Sequence, residues 1–137
     1  MSRCLYSSGI KRFLSLDDNL IFGALCDKYH GDAPTTTREA WKGEISVMKG
    51  LLSNYADKEG KIIFEYDIPR LGKRIDAVLL YRGIVFCLEF KVGESRVLEM
   101  DVDQVLDYAL DLKNFMKIIR LKILHVMRQM MFQLIEQ

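Results

Sequence analysis

Two runs of β-forming residues, Arg74 to Tyr81 and Ile84 to Lys91, are separated only by Arg82-Gly83, and this constrains the chain more than any other feature. Gly83 supplies the permissive backbone of a two-residue turn, so the spacing predicts a tight β-hairpin. In that register Tyr81 faces Ile84 and each step away from the turn pairs the next residues out, which sets Asp76 opposite Glu89. Paired residues share a sheet face with Cβ atoms about 4.5–5.5 Å apart, and like charges so placed repel. Alternation puts Val85, Cys87, Glu89 and Lys91 on one face with Asp76, Val78 and Leu80. Two carboxylates and a lysine at the end of an apolar strip need compensation, which a divalent cation provides. The plainer alternative pairs Glu89 with Lys91 on a solvated face and leaves Asp76 at the strand entrance.

A third acid comes from upstream. Thr36-Thr-Arg-Glu39 has the form of a capping box, and Trp41, Ile45, Met48 and Leu52, widened by Val47 and Leu51, predict an amphipathic helix running to about Tyr55. Glu44 is expected along the edge of that stripe. Hard cations such as magnesium take oxygen ligands of this kind. The first strand is expected from Lys61 to Ile68, bounded by Gly60 and by Pro69 to Gly72, with Ile62, Phe64 and Tyr66 alternating against Ile63, Glu65 and Asp67. Nearer the N-terminus, Leu14 to Tyr29 reads as a short helix. It would start at Asp17 or Asp18, with Leu20, Ile21, Ala24 and Leu25 on its apolar side, followed by a loop over Gly31 to Pro34.

Beyond the hairpin, Val102, Val105, Ala109 and Leu112 predict a helix over about 101–115, on which Gln104 and Tyr108 share a face. With Glu44, Asp76 and Glu89-x-Lys91 already placed, this chain resembles the PD-(D/E)XK nuclease superfamily, specifically its RecB-like branch with a Q-x-x-x-Y helix. Isoleucine stands before Asp76 where the family's name has proline. The stretches Ile63 to Asp76 and Cys87 to Glu94 also resemble the nuclease-like N-terminal region of bacterial helicase-family proteins; the likeness spans about residues 1–115.

The resemblance implies an α/β fold with a restriction-endonuclease-like core, a mixed sheet containing the antiparallel hairpin and flanked by helices. It implies that Asp76 and Glu89 hold magnesium or manganese, that Glu44 joins them directly or through water, and that Lys91 orients or deprotonates the attacking water. Gln104, Tyr108 and Arg74 would contact the nucleic-acid backbone. The implied activity is metal-dependent hydrolysis of phosphodiester bonds, with DNA favoured over RNA. The alternative is a catalytically silent nucleic-acid-binding or oligomerisation module. In the related proteins a helicase domain follows, whereas this chain carries no G-x-x-x-x-G-K-[S/T] phosphate loop.

The likeness ends near Phe115, and residues 116–137 form a separate amphipathic segment. Met116, Ile119, Ile123, Met127, Met130 and Leu134 are spaced for a helix, interspersed with Lys117, Arg120, Lys122 and Arg128. An oligomerising or docked helix is the first reading of this tail; a membrane-surface helix and a fourth strand over Ile118 to Val126 are the others. It is too short between charges to span a bilayer.

Composition narrows the field further. A formal net charge of +1 on 137 residues excludes a histone-like polycation, although Arg70, Lys73, Arg74, Arg82, Lys91 and Arg96 crowd around the proposed site. Cys4, Cys26 and Cys87 lack C-x-x-C spacing, and His30 and His125 complete no ligand set, which argues against structural zinc. A buried Cys87 suits a reducing cytoplasm, and residues 1–15 lack the apolar core of a secretory signal.

Overall fold

The computed structural model describes residues 2–55, 59–68 and 72–90. Strand β1 (Cys4–Gly9) leads into helices α1 (Ile10–Ser15), α2 (Asp18–Lys28) and α3 (Thr35–Leu52), a 3-10 turn at Ser53–Tyr55, and strands β2 (Gly60–Ile68), β3 (Lys73–Tyr81) and β4 (Ile84–Leu88). The protein is α/β, with a four-stranded sheet in the order β1-β2-β3-β4. Every pairing is antiparallel, so among the described residues the expected mixed sheet is not found.

The β3–β4 hairpin forms in the expected register, from Tyr81 opposite Ile84 to Ala77 opposite Leu88. Arg82 and Gly83 both adopt positive φ, 50° and 72°, the left-handed pair that matches the twist of the flanking strands. Pairing stops one step before Asp76 and Glu89. There the Phe90 amide donates to Asp76 Oδ2 at 2.9 Å, so a side chain replaces the ladder carbonyl.

Helix α3 buries Trp41, Ile45, Met48 and Leu52 as its spacing requires, against Ile62, Phe64, Ala77, Leu79 and Leu88 of the sheet and Phe13, Ile21 and Leu25 of the shorter helices. Burying each such side chain contributes about 1.5–3 kcal/mol, which makes this seam the main source of stability. A second cluster, Ile68, Ile75, Val78, Val85 and Cys87, is separate from the helix seam.

Several expectations are corrected. The capping box is not made: Pro34 occupies the cap, no side chain bonds there, and Glu39 pairs instead with Lys42 at 3.2 Å. Helix α2 starts where expected, with Asp17 accepting from the Asn19 amide as its cap, but it is preceded by a separate α1 that has no counterpart in the sequence reading. Leu20 is 63% exposed rather than apolar-facing; Ile21 and Leu25, four residues apart, form the buried side. Strand β1 has no counterpart in the sequence reading. Lys49 ties α3 to the N-terminal helices, donating to the Leu16 carbonyl and pairing with Asp18 at 2.6 Å. No helix among the described residues is long and apolar enough to cross a membrane.

Candidate metal centre

Three elements converge on one acidic cluster. Glu44 comes from α3, Glu65 from β2 and Asp76 from β3, and one carboxylate oxygen from each lies within 4.8 Å of the others. Trp41 and Glu44 are three apart on α3 and Glu44 precedes Ile45, so the glutamate sits inside the buried stripe rather than at its edge. It is 4% exposed, and its Oε2 has no hydrogen-bond partner among the described residues. Burial, followed by the charges of Asp76, Glu65 and Glu89, lifts its pKa from 4.5 to about 9.

Glu65 is the residue that the sequence reading missed. Strict alternation along β2 groups it with Ile63, away from the helices, but its own φ of 54° breaks the pattern. Ile62 and Phe64 belong to the helix-facing core, whereas Ile63, Tyr66 and Ile68 belong to the second cluster. The same break occurs on β3, where Ala77 and Leu79 pack in the helix-facing core but Ile75 joins Val78 in the second cluster. Glu65 and Asp76 stand where both strands change face, and neither takes part in the β2–β3 pairing that continues on both sides of them. Asp76 therefore joins α3's carboxylate instead of lying along the strip of Val78, Leu80, Val85 and Cys87. A signal for Glu65 was present: pairing Ile68 with Lys73 across the Pro69 to Gly72 segment puts Glu65 opposite Asp76.

Both oxygens of Glu65 have neighbours. Trp41 Nε1 donates to Oε1 at 3.1 Å, and Arg74 Nη1 lies 3.6 Å from Oε2. Burial and the Asp76 charge raise the pKa of Glu65, and the Trp41 and Arg74 contacts oppose that rise. Arg74, expected at a nucleic-acid backbone, bonds Asp67 Oδ1 through Nε at 2.9 Å and is thus engaged by two carboxylates. Glu89 is half-buried at the end of β4; its charge raises the pKa of Glu44 and, after burial, contributes to pushing the Cys87 thiol to about 12. The converging trio is Glu44, Glu65 and Asp76, so of the expected metal set two members meet there and Glu89 stands beside them.

Lys91, Gln104, Tyr108, the helix expected over 101–115 and the segment 116–137 lie outside the described residues. Searches of family models, curated proteins and solved structures returned no match to this chain.

The cluster can hold a cation. An all-oxygen, all-carboxylate donor set suits a hard divalent ion, and an ionised carboxylate oxygen buried without a partner is costly unless a cation or a proton meets it. Magnesium and manganese fit this chemistry; thiophilic metals do not.

Proposed function

We propose that this chain is a magnesium- or manganese-dependent nuclease of the PD-(D/E)XK type, hydrolysing phosphodiester bonds with DNA favoured over RNA. The observation that carries the reading is Glu44: a helix delivers a buried carboxylate, with one oxygen unpartnered among the described residues, to the strand aspartate that the motif requires. A purely structural sheet-helix seam gains nothing from an ionisable group there, whereas an acid poised beside Asp76 is what a cation site needs.

A divalent ion held there would supply Lewis-acid polarisation of a phosphate oxygen and a lower pKa for water. Asp76 and Glu44 would hold that ion, Asp76 being oriented by the Phe90 amide. The same hydrogen bond ties Phe90, in the middle of the Glu89-Phe-Lys91 motif, to Asp76. Lys91 is assigned the attacking water, and Gln104 and Tyr108 the substrate backbone.

Cleavage of labelled single-stranded DNA, duplex DNA and RNA tests this, with magnesium or manganese and with chelator. The wild type is compared with Asp76→Asn and Lys91→Ala, each checked for an unchanged melting transition. Cleavage that disappears in both variants and in chelator is the expected result. A folded wild type that cuts none of the three substrates refutes the assignment and favours the binding or assembly module.

A further inference from the structure

We propose that Glu65 is a direct ligand of the cation at this site, set in place by the Trp41 indole and the Arg74 guanidinium; the inference rests on the divalent-metal reading above. Acidic residues often cluster without a ligand, so the cluster by itself decides nothing. The independent observation is Glu44, 4% exposed, whose Oε2 has no hydrogen-bond partner among the described residues although the same carboxylate contributes an oxygen to the convergence.

Three features place Glu65 in the ligand set. Its backbone holds φ 54°, a left-handed conformation unfavourable for a non-glycine residue, and the strand alternation breaks there to bring its carboxylate to the helix side. Next, its partners orient it, and among the described residues its cationic partner, Arg74, is shared with Asp67. Trp41 donates a single neutral hydrogen bond at 3.1 Å, and Arg74 stands 3.6 Å away while making its shorter contact, 2.9 Å, to Asp67. Finally, satisfying the indole requires only an acceptor. A glutamine carbonyl would meet it equally well and would not add negative charge next to Glu44 and Asp76.

Indole-to-carboxylate and guanidinium-to-carboxylate contacts are the outer-shell supports that fix a ligand's orientation around a metal. With Glu65 included, three carboxylates face the cation, and added ligand charge raises affinity for divalent over monovalent ions.

Trp41 is the chain's only tryptophan, so its fluorescence reports the environment of its carboxylate partner. The test is titration of the full chain with Mn2+ and with Mg2+ alone, followed by calorimetry and by Trp41 emission, in wild type, Glu65→Gln and Asp76→Asn. Glutamine preserves the acceptor for Trp41 and removes only the charge. Binding that Asp76→Asn abolishes and Glu65→Gln weakens by at least ~10-fold is the expected result. Unchanged affinity in a folded Glu65→Gln protein, with loss in Asp76→Asn, overturns the role of Glu65 and leaves the nuclease reading standing. A folded wild type that binds neither ion at millimolar concentration overturns both. Should Glu65→Gln fail to fold, wild-type emission decides: a saturable change tracking the calorimetric curve supports ligation, and emission that ignores bound metal refutes it.

Discussion

Replacing Glu44 with glutamine keeps the side chain's shape and removes its ability to ionise, and this isolates the electrostatic load carried by the helix-sheet seam. The group has an ordinary pKa of 4.5 and rises to about 9 in the folded protein. Between those values the folded state holds a proton that the unfolded chain has released, so stability is fully present below about pH 4.5 and is lost progressively as pH climbs toward 9. Each pH unit in that window subtracts about 1.4 kcal/mol, which by pH 8 sets a ceiling on the order of 5 kcal/mol. Relaxation around a buried acid reduces this, and roughly 2–5 kcal/mol is the expected loss. For a chain of this size that corresponds to a fall in Tm on the order of 10 °C between pH 5 and pH 8. Glu65 shifts in the same direction but is present in both proteins, so the comparison assigns the difference to Glu44. The assay is thermal denaturation followed by circular dichroism in chelator, from pH 5 to pH 9. Wild type should lose stability relative to Glu44→Gln as pH rises, and magnesium at pH 8 should restore wild type far more than the variant. A Tm gap between the two proteins that is equal at pH 5 and pH 8 refutes the picture of a buried, charge-crowded carboxylate.

Two further expectations concern the scaffold. Gly60 begins β2 where an added Cβ would meet Ile10 Cδ1 at 2.5 Å and the Leu80 carbonyl oxygen at 2.8 Å, so Gly60→Ala should destabilise the protein by about 1–3 kcal/mol in urea unfolding; an unaffected midpoint would mean that β1, β2 and α1 yield freely there. Arg82 holds a left-handed φ of 50° at the first position of the hairpin turn, and Arg82→Asn should raise stability by roughly 0.5–1 kcal/mol because asparagine tolerates that conformation. Loss of stability in that variant would show that the Arg82 guanidinium over the Tyr81 ring, 5.4 Å from its centroid, outweighs the backbone gain.

The hairpin and the α3 stripe were legible because both are written locally: a two-residue turn fixes its own register, and a 3.6-residue period names its own buried face. Strand β1 was not. Cys-Leu-Tyr-Ser-Ser-Gly is a weak strand by composition, and it becomes one by pairing with β2 more than fifty residues away, Cys4 opposite Tyr66. Glu65 escaped for a related reason. Period-two reasoning assumes an unbroken pleat, and nothing in the identity of a glutamate announces a positive φ. The capping box failed in the other direction, a local motif that Pro34 and the Glu39–Lys42 pair outcompeted. Asp76 and Glu44 were found as residues; what escaped was that Glu65, on the opposite side of β3, converges with them, with the expected Glu89 close enough to raise the Glu44 pKa.

The three converging acids belong to segments that are distant along the chain, and it is the apolar seam of Trp41, Ile45, Met48, Phe64 and Ala77 that closes the loops between them. Folding therefore gathers the acidic side chains as a by-product of burying hydrocarbon, and burial with the neighbouring charges makes Glu44 hold its proton to about pH 9. On the proposed reading, a cation arriving at such a place would meet donors already gathered, and its binding would displace a proton rather than organise a disordered pocket. Occupancy should consequently harden the whole seam at once, slowing hydrogen exchange in α3 and in the middle of β2 and β3 together.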